Sequence, residues 1–305
     1  MPLYKAGLNL EHIQELPFKY EREIQGLVEK NLQTLLKLSL IKSEFTINNF
    51  RLDTLAFDVE SSSFVIIEFK RDKNFSVIDQ GYAYLSLMLN NKADFILEYN
   101  ECNVKPLRRD EVDWSQSKVL FVSPGFTTYQ KEAINFKDLP IELWEIKRFE
   151  TETISFEQIQ KTSAKESIKT ISGKDAIVEK VSSEVIVFTE DEHLLRSNFE
   201  VREFYEQLRE RILSMDDNIT ISPRKLYLGF KVDGNTFCDI TFLAKSIKIF
   251  INLKSGELKD DLLLARDISN IGHWGNGSYE IKMTDTENIE YILSLLKQSL
   301  KRNKE

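Results

Sequence analysis

Two short segments hold the residue types of a hydrolytic metal site: Arg51-Leu52-Asp53 and Glu68-Phe69-Lys70. Each lies in a run of Val, Ile, Phe and Leu that reads as a strand. Side chains alternate along a strand, so Glu68 and Lys70 share a face with Phe64 and Ile66. Asp53 likewise shares a face with Arg51, Leu55 and Phe57. Ser61-Ser62-Ser63 reads as a turn, and the resulting hairpin sets Asp53 beside Glu68. Burying such charges among Phe and Ile costs on the order of several kcal/mol unless partners satisfy them. Two carboxylates meeting at a sheet end repel one another, and a divalent cation resolves that repulsion. Mg²⁺ accepts a few carboxylate oxygens, carbonyl oxygens and retained waters. Lys70 could then orient an attacking water or stabilise negative charge developing at phosphorus. That is the chemistry of metal-dependent phosphodiester hydrolysis. Taken alone, the three residues read first as a solvated ion-pair cluster at a sheet edge. This chain has four Glu-x-Lys triplets, and of these (Glu145–Lys147, Glu257–Lys259 and Glu280–Lys282 being the others) only Glu68–Lys70 combines an upstream strand aspartate, a preceding helix with Glu29 and a following Gln-x-x-x-Tyr helix.

The surrounding pattern supplies the elements that must position these groups. Pro17 precedes a predicted helix, Phe18–Leu38, with Ile24, Leu27, Val28, Leu32, Leu35 and Leu36 at helical spacing and with Glu29 among them. Strands are expected at Ile41–Ile47, Arg51–Val59 and Phe64–Arg71. A helix is expected over Ser76–Asn90, with Ser76 as its cap. Gln80 and Tyr84 lie one turn apart on it. Phe95–Tyr99 and Val119–Ser123 read as buried strands, Thr127–Asn135 as a short helix and Ile141–Phe149 as a last strand.

In that element order the stretch resembles the PD-(D/E)xK nuclease superfamily, and Gln80-x-x-x-Tyr84 resembles the accessory motif of its RecB-like branch. Val28–Leu97, about a quarter of the chain, is also similar to the catalytic domain of archaeal and actinobacterial single-strand and mismatch endonucleases. Leu52 stands where many members have proline. The resemblance implies Asp53, Glu68 and Lys70 as catalytic residues. It implies Asp53, Glu68, the Phe69 carbonyl and Glu29 around Mg²⁺ or Mn²⁺. Gln80 and Tyr84 would buttress the site or touch DNA, with Arg51 in support. The expected fold class is α/β, a restriction-endonuclease-like mixed sheet flanked by helices, followed by a smaller α+β domain with an antiparallel sheet.

The chain has 305 residues, 42% of them hydrophobic and 11% aromatic, which excludes a disordered chain and allows about two domains. The expected division is 1–150, a linker at 151–197, and 198–305. The linker reading rests on a Ser-, Lys-, Glu- and Thr-rich composition broken by Ser172-Gly173-Lys174, with a short strand at Glu184–Phe188. No apolar run is long enough to span a membrane, and Cys102 and Cys238 form no disulfide framework or zinc spacing. A reducing cytoplasm is expected. The net charge of −8, shared evenly by the two halves, excludes broad nucleic-acid binding by charge alone, so a nucleic-acid partner needs local cations or bound metal. Lys70-Arg71-Asp72-Lys73 and Arg108-Arg109 are the candidate phosphate contacts.

In the second domain a helix (Phe199–Met215) precedes strands at Lys225–Val232, Thr236–Leu243 and Ser246–Leu253. A polar helical stretch near Asp260–Ile271, a strand at Tyr279–Met283 and a helix at Thr286–Lys301 complete it. Gly272–Gly277 could present His273 and Trp274 to a base or other ligand, although a structural loop with a core tryptophan is the first reading. The segments Leu226–Lys231 and Ala265–Gly277 resemble a bacterial and archaeal two-domain family sometimes labelled "predicted transport protein". Nothing in the sequence supports transport, and the C-terminal domain transfers no site residues. The expected function is a metal-dependent nuclease acting on DNA ahead of RNA, in repair or defence, with no membrane partner and with a homodimer left open as one assembly. The alternative is a catalytically silent nucleic-acid-binding or protein-interaction module on a nuclease scaffold.

Overall fold

All seven residues of the strand Ser63–Phe69 are buried. A strand of this kind needs cover on both faces, which explains its unbroken run of Phe, Val and Ile. The structure, a computed structural model, describes residues 2–71, 76–161, 166–168, 175–272 and 275–304. It divides into two compact units, Met1–Val187 and Phe188–Glu305.

The first unit begins with a hairpin of β1 (Leu3–Lys5) and β2 (Glu11–Ile13), then the short β3 (Glu15–Leu16). There follow α1 (Glu21–Lys30), α2 (Leu32–Leu36), β4 (Ser39–Ile47), β5 (Phe50–Asp58) and β6 (Ser63–Phe69). Next come α3 (Val77–Asn90), α4 (Lys92–Cys102), β7 (Lys118–Ser123), α5 (Thr128–Ala133), β8 (Ile141–Phe149) and β9 (Ile154–Gln158). The sheet runs β3-β8-β7-β6-β5-β4, and β9 pairs with β8. β4, β5 and β6 are antiparallel neighbours, whereas β6, β7 and β8 run parallel. The sheet is therefore mixed, and α3 with α4 forms the long crossover that a parallel pair requires.

Helices cover both faces. On one, Leu55, Phe57, Phe64 and Ile66 pack with residues of α3, α4 and the helix Ala176–Glu184. On the other, Ala56, Val65, Ile67 and Phe69 pack with Ile24 and Val28 of α1 and Leu32 of α2. Register places the acids. Thr54 pairs with Ile67 and Leu55 with Ile66, so continuing the ladder sets Asp53 opposite Glu68. On the other edge of β5, Ser43 pairs with Thr54 and Phe45 with Leu52, which sets Glu44 opposite Asp53.

Ser76 caps α3 as its sequence position suggests. Its hydroxyl accepts the Asp79 N–H at 3.3 Å and donates to Asp79 Oδ2 at 2.5 Å. Ser76→Ala is expected to destabilise the first unit by about 1 kcal/mol. A thermal midpoint lowered by roughly 2–4 °C in circular dichroism would register that loss; an unmoved midpoint would show that the cap contributes nothing.

Several elements differ from the sequence reading. The expected helix Phe18–Leu38 is two, α1 and α2, broken at Asn31. Phe95–Tyr99, expected as a strand, lies inside α4. Phe95, Ile96 and Tyr99 form one helical face on the core, with Phe95 edge-on to Phe45 and Phe64 and Tyr99 edge-on to Phe57. So short an apolar run fits either period, and the tertiary neighbours decide. Much of 151–197, read as a linker, is built into the units. Ile154–Gln158 is β9, Ala176–Glu184 is a helix capped by Asp175 rather than a lead-in to a strand at Glu184–Phe188, and Glu190–Leu194 is a further helix. Ser172-Gly173-Lys174 falls outside the described residues.

The second unit holds a six-stranded antiparallel sheet, β10-β11-β12-β13-β15-β14. Its strands are β10 (Ile219–Pro223), β11 (Leu228–Val232), β12 (Asn235–Leu243), β13 (Ser246–Ile251), β14 (Arg266–Asp267) and β15 (Tyr279–Met283). The helices Phe199–Leu213 and Ile289–Lys304 pack on one face, over Leu228, Ile240, Ile249 and Ile281. The helix expected near Asp260–Ile271 is absent from this described stretch, which forms turns and β14. Asp260 explains this: its carboxylate accepts from the Ala265 N–H and the Tyr291 hydroxyl, an alternative to helical hydrogen bonding. Among the described residues no helix is long and apolar enough to cross a membrane.

Candidate functional site

Asp53 and Glu68 meet where β6 ends. Asp53 Oδ2 accepts the Phe69 N–H at 2.9 Å, which fixes the carboxylate beside the last residues of β6. Glu68 is only 4% exposed. Its Oε1 accepts from Lys70 Nζ and from Gln80 Nε2, each at 2.8 Å. Its Oε2 is buried and meets no hydrogen-bond donor among the described residues. Gln80 also donates to the Tyr84 hydroxyl at 2.8 Å, so one face of α3 braces Glu68. Gly81 permits this approach: an added Cβ would lie 2.4 Å from Ile141 Cδ1.

The electrostatics follow from this crowding. Burial, then the Glu68 charge, pushes the Asp53 carboxyl up to about 6, against the Phe69 N–H and Lys70. Burial alone would lower the Lys70 ammonium, but the hydrogen bond and charge of Glu68, with Asp53 and Glu21, outweigh it and raise the pKa. Lys70 therefore stays protonated at neutral pH. Burial, aided by the Glu68 charge, holds the Tyr84 phenol well above its ordinary value, so it also keeps its proton.

The other predicted residues are placed differently. Glu29 Oε1 accepts from Thr54 Oγ1 at 2.5 Å and from Gln25 Nε2 at 3.1 Å. Gln25 Nε2 is also 2.9 Å from the Asp53 carbonyl oxygen and 3.2 Å from Ser43 Oγ. Glu29 thus reaches Asp53 through Gln25 and the backbone. Arg51 Nε donates to Glu44. Phe69 contributes its N–H to Asp53. His273 and Trp274, like Asp72 and Lys73, lie outside the described residues. Arg108, a candidate phosphate contact, pairs with Asp110 at 3.2 Å.

Sequence reasoning missed Gln25, Glu44 and Thr54. A signal existed for two of them. Gln25 precedes Glu29 by one helical turn, and counting back from Asp53 across the Asn48-Asn49 turn reaches Glu44.

Among the described residues no three His, Cys, Asp or Glu side chains are gathered as a metal-holding group. The arrangement is instead a carboxylate pair in which Glu68 Oε2 is buried without a donor among those residues and Asp53 is crowded by like charge. A hard divalent cation relieves both conditions, and Mg²⁺ is commonly held by one or two carboxylates with its waters retained. The pair fits such an ion.

Residues 190–302 match a domain of unknown function, DUF5655. An uncharacterized protein of Haemophilus influenzae is 49% identical over 292 residues, covering 96% of each chain. Among solved structures, the EndoMS-dsDNA2 complex is similar at 13% identity and a TM-score of 0.28, over 44% of this chain and 60% of that one. A repair endonuclease from Pyrococcus abyssi is similar at 15% identity and a TM-score of 0.23, over the same shares. Pyrococcus furiosus SfsA in complex with Ca²⁺ follows at 15% identity and a TM-score of 0.26, over 52% of this chain and 74% of that one. The chain thus spans three-fifths of the length of the first two structures.

Proposed function

The chain belongs to one family with the Haemophilus influenzae protein, and from its site we propose a metal-dependent nuclease that hydrolyses DNA phosphodiester bonds. One observation carries this reading: a buried carboxylate oxygen, Glu68 Oε2, has no donor among the described residues and lies beside a second carboxylate and a protonated lysine. Asp53 and Glu68 would hold Mg²⁺ or Mn²⁺, with Glu29 acting through Gln25 on the Asp53 backbone. The ion supplies Lewis-acid stabilisation of charge at phosphorus. Lys70, protonated on a short stem from β6, holds positive charge where a non-bridging phosphate oxygen gains negative charge as water attacks. It is a charge stabiliser and not a base, because its proton is held tightly. Gln80 fixes the Glu68 carboxylate so that it need not reorganise during the reaction.

The test is direct. The full chain is incubated with labelled single-stranded, duplex and branched DNA, and with RNA, in Mg²⁺, in Mn²⁺ and in EDTA. Metal-dependent cleavage supports the reading. Its absence on every substrate, with binding that survives EDTA, selects a silent nucleic-acid-binding scaffold. That second reading is favoured by the lack of a three-carboxylate cluster among the described residues.

The raised Asp53 pKa of about 6 gives the site a pH dependence. Metal requires the carboxylate, so binding must displace a proton below that pH. Calorimetric titration of Mn²⁺ is expected to show roughly tenfold weaker binding at pH 5 than at pH 7.5, with proton release at the lower pH. Equal affinities would mean that Asp53 is not a ligand.

A further inference from the structure

The third acid of the row, Glu44, has a different role from the other two. Its backbone φ is 54°, the left-handed region, in the middle of β4. Non-glycine residues are strained there, and such residues cluster at functional sites. The consequence is visible on either side. Ser43 faces α1, where its Oγ meets Gln25, whereas the Phe45 ring packs on Phe95 of α4. Ordinary alternation would put these two on one face; the strand reverses at Glu44. The reversal turns the Glu44 carboxylate towards Gln25 and Arg22 of α1 and onto the Arg51 guanidinium. Without it, three carboxylates would stand side by side across β4, β5 and β6.

Arg51 is also unusual. Its side chain is 63% exposed, and it lies two residues from Asp53, close enough to feel that charge. Phe50, beside it at the start of β5, is 46% exposed. β4 and β5 pair as far as Ile47 and Phe50, beyond the last β5–β6 pair, so this cation and aromatic sit on a hairpin projecting past the acidic pair.

We propose that Arg51 is a phosphate-binding residue of the substrate strand and that Glu44 is its resting counter-ion. The pair is a charge gate: Arg51 rests on Glu44 until a phosphate of the strand entering over Asp53 and Glu68 takes its place. The gate suits an acidic chain, because a guanidinium held by a carboxylate gives little non-specific attraction to nucleic acid. A guanidinium also matches a phosphate bidentately, which a lysine cannot do. An exposed pair of this kind is worth little by itself, so exchange is cheap. This inference rests on the nuclease reading above and deepens it.

The test reads binding without cleavage, by fluorescence anisotropy of a fluorescein-labelled single strand and its duplex in EDTA and in Ca²⁺, over a salt series. Glu44→Gln is expected to bind roughly three- to tenfold tighter at low salt, with a steeper fall in affinity as salt rises. Glu44→Asn, which suits the left-handed backbone better, should do the same and guards against a folding defect in the first variant. Arg51→Ala is expected to bind more weakly, with the salt slope reduced by about one contact. The double variant Glu44→Gln/Arg51→Ala should match Arg51→Ala. Tighter binding that survives in the double variant would show a general charge effect and overturn the gate. Unchanged binding in both Glu44 variants would also overturn it while leaving the nuclease reading intact. No binding by the unmodified chain under any condition overturns both.

Discussion

On the proposed nuclease reading, Asp53→Ala and Lys70→Ala are each expected to abolish metal-dependent cleavage, by a factor of at least about a hundred. The two losses have separable causes. Lys70→Ala removes the positive charge next to Glu68 and leaves both carboxylates for the metal. Its calorimetric Mn²⁺ affinity should be retained or improved while turnover falls, since a cation that competes for Glu68 Oε1 is gone. Asp53→Ala removes the acceptor of the Phe69 N–H and the proposed ligand, so metal affinity and turnover should fall together. Lys70→Arg is not expected to restore activity, because a planar guanidinium cannot take the place of a compact ammonium between Glu68 and the reacting phosphate. Cleavage that persists in both alanine variants would place the active site elsewhere.

Asp53→Asn is expected to stabilise the metal-free fold at neutral pH. The folded-state pKa of Asp53 is raised from 3.8 to about 6 by burial and by Glu68. Between those two values the folded chain binds more protons than the unfolded chain, so stability falls as pH rises through this window. Above about pH 6 the fold bears the whole penalty, and below about pH 4 it bears none. The shift corresponds to about 3 kcal/mol at most. Asp53 is only partly buried, and solvent screening reduces the figure to about 1–2 kcal/mol. Asparagine removes the charge and still accepts the Phe69 N–H. The thermal midpoint of the first unit should therefore rise by several degrees at pH 7.5 and stay level at pH 4. Mn²⁺ should raise the midpoint of the unmodified chain and leave that of Asp53→Asn unmoved. A variant less stable at every pH would mean that the carboxylate serves the fold rather than a ligand, a stability–function exchange in the opposite sense from that expected of a site.

Much of this was legible in the residues. The apolar, strand-favouring runs in Arg51–Val59 and Phe64–Arg71, with the serine turn between them, specified a hairpin whose ends carry Asp53 and Glu68, and the ladder has that register. The capped helix carrying Gln80 and Tyr84 was equally plain, because Ser76 and the apolar spacing of α3 are local signals. The second unit's strands near Lys225–Val232, Thr236–Leu243, Ser246–Leu253 and Tyr279–Met283 were legible as apolar segments, and its sheet is antiparallel throughout. Local signals failed where long-range contacts overrode them. Phe95–Tyr99 became a helix because three aromatic side chains of the sheet receive its one apolar face. The composition of 151–197 suggested a linker, yet β9 pairs with β8, and Val178 and Val181 complete a core built largely by residues far upstream.

The sequence by itself determined which residues could do chemistry and the strand ends that carry them, because charge type and side-chain alternation are properties of short segments. Only the tertiary structure decided how those charges are shared. It bound Lys70 and Gln80 to one oxygen of Glu68 and left the other buried without a donor among the described residues. It tied Glu29 to Asp53 through Gln25, and at Glu44 it reversed β4 so that a third carboxylate faces Arg51. These outcomes depend on which strands and helices pack together, because a carboxylate's partners are set by distances across the fold and not by spacing along the chain.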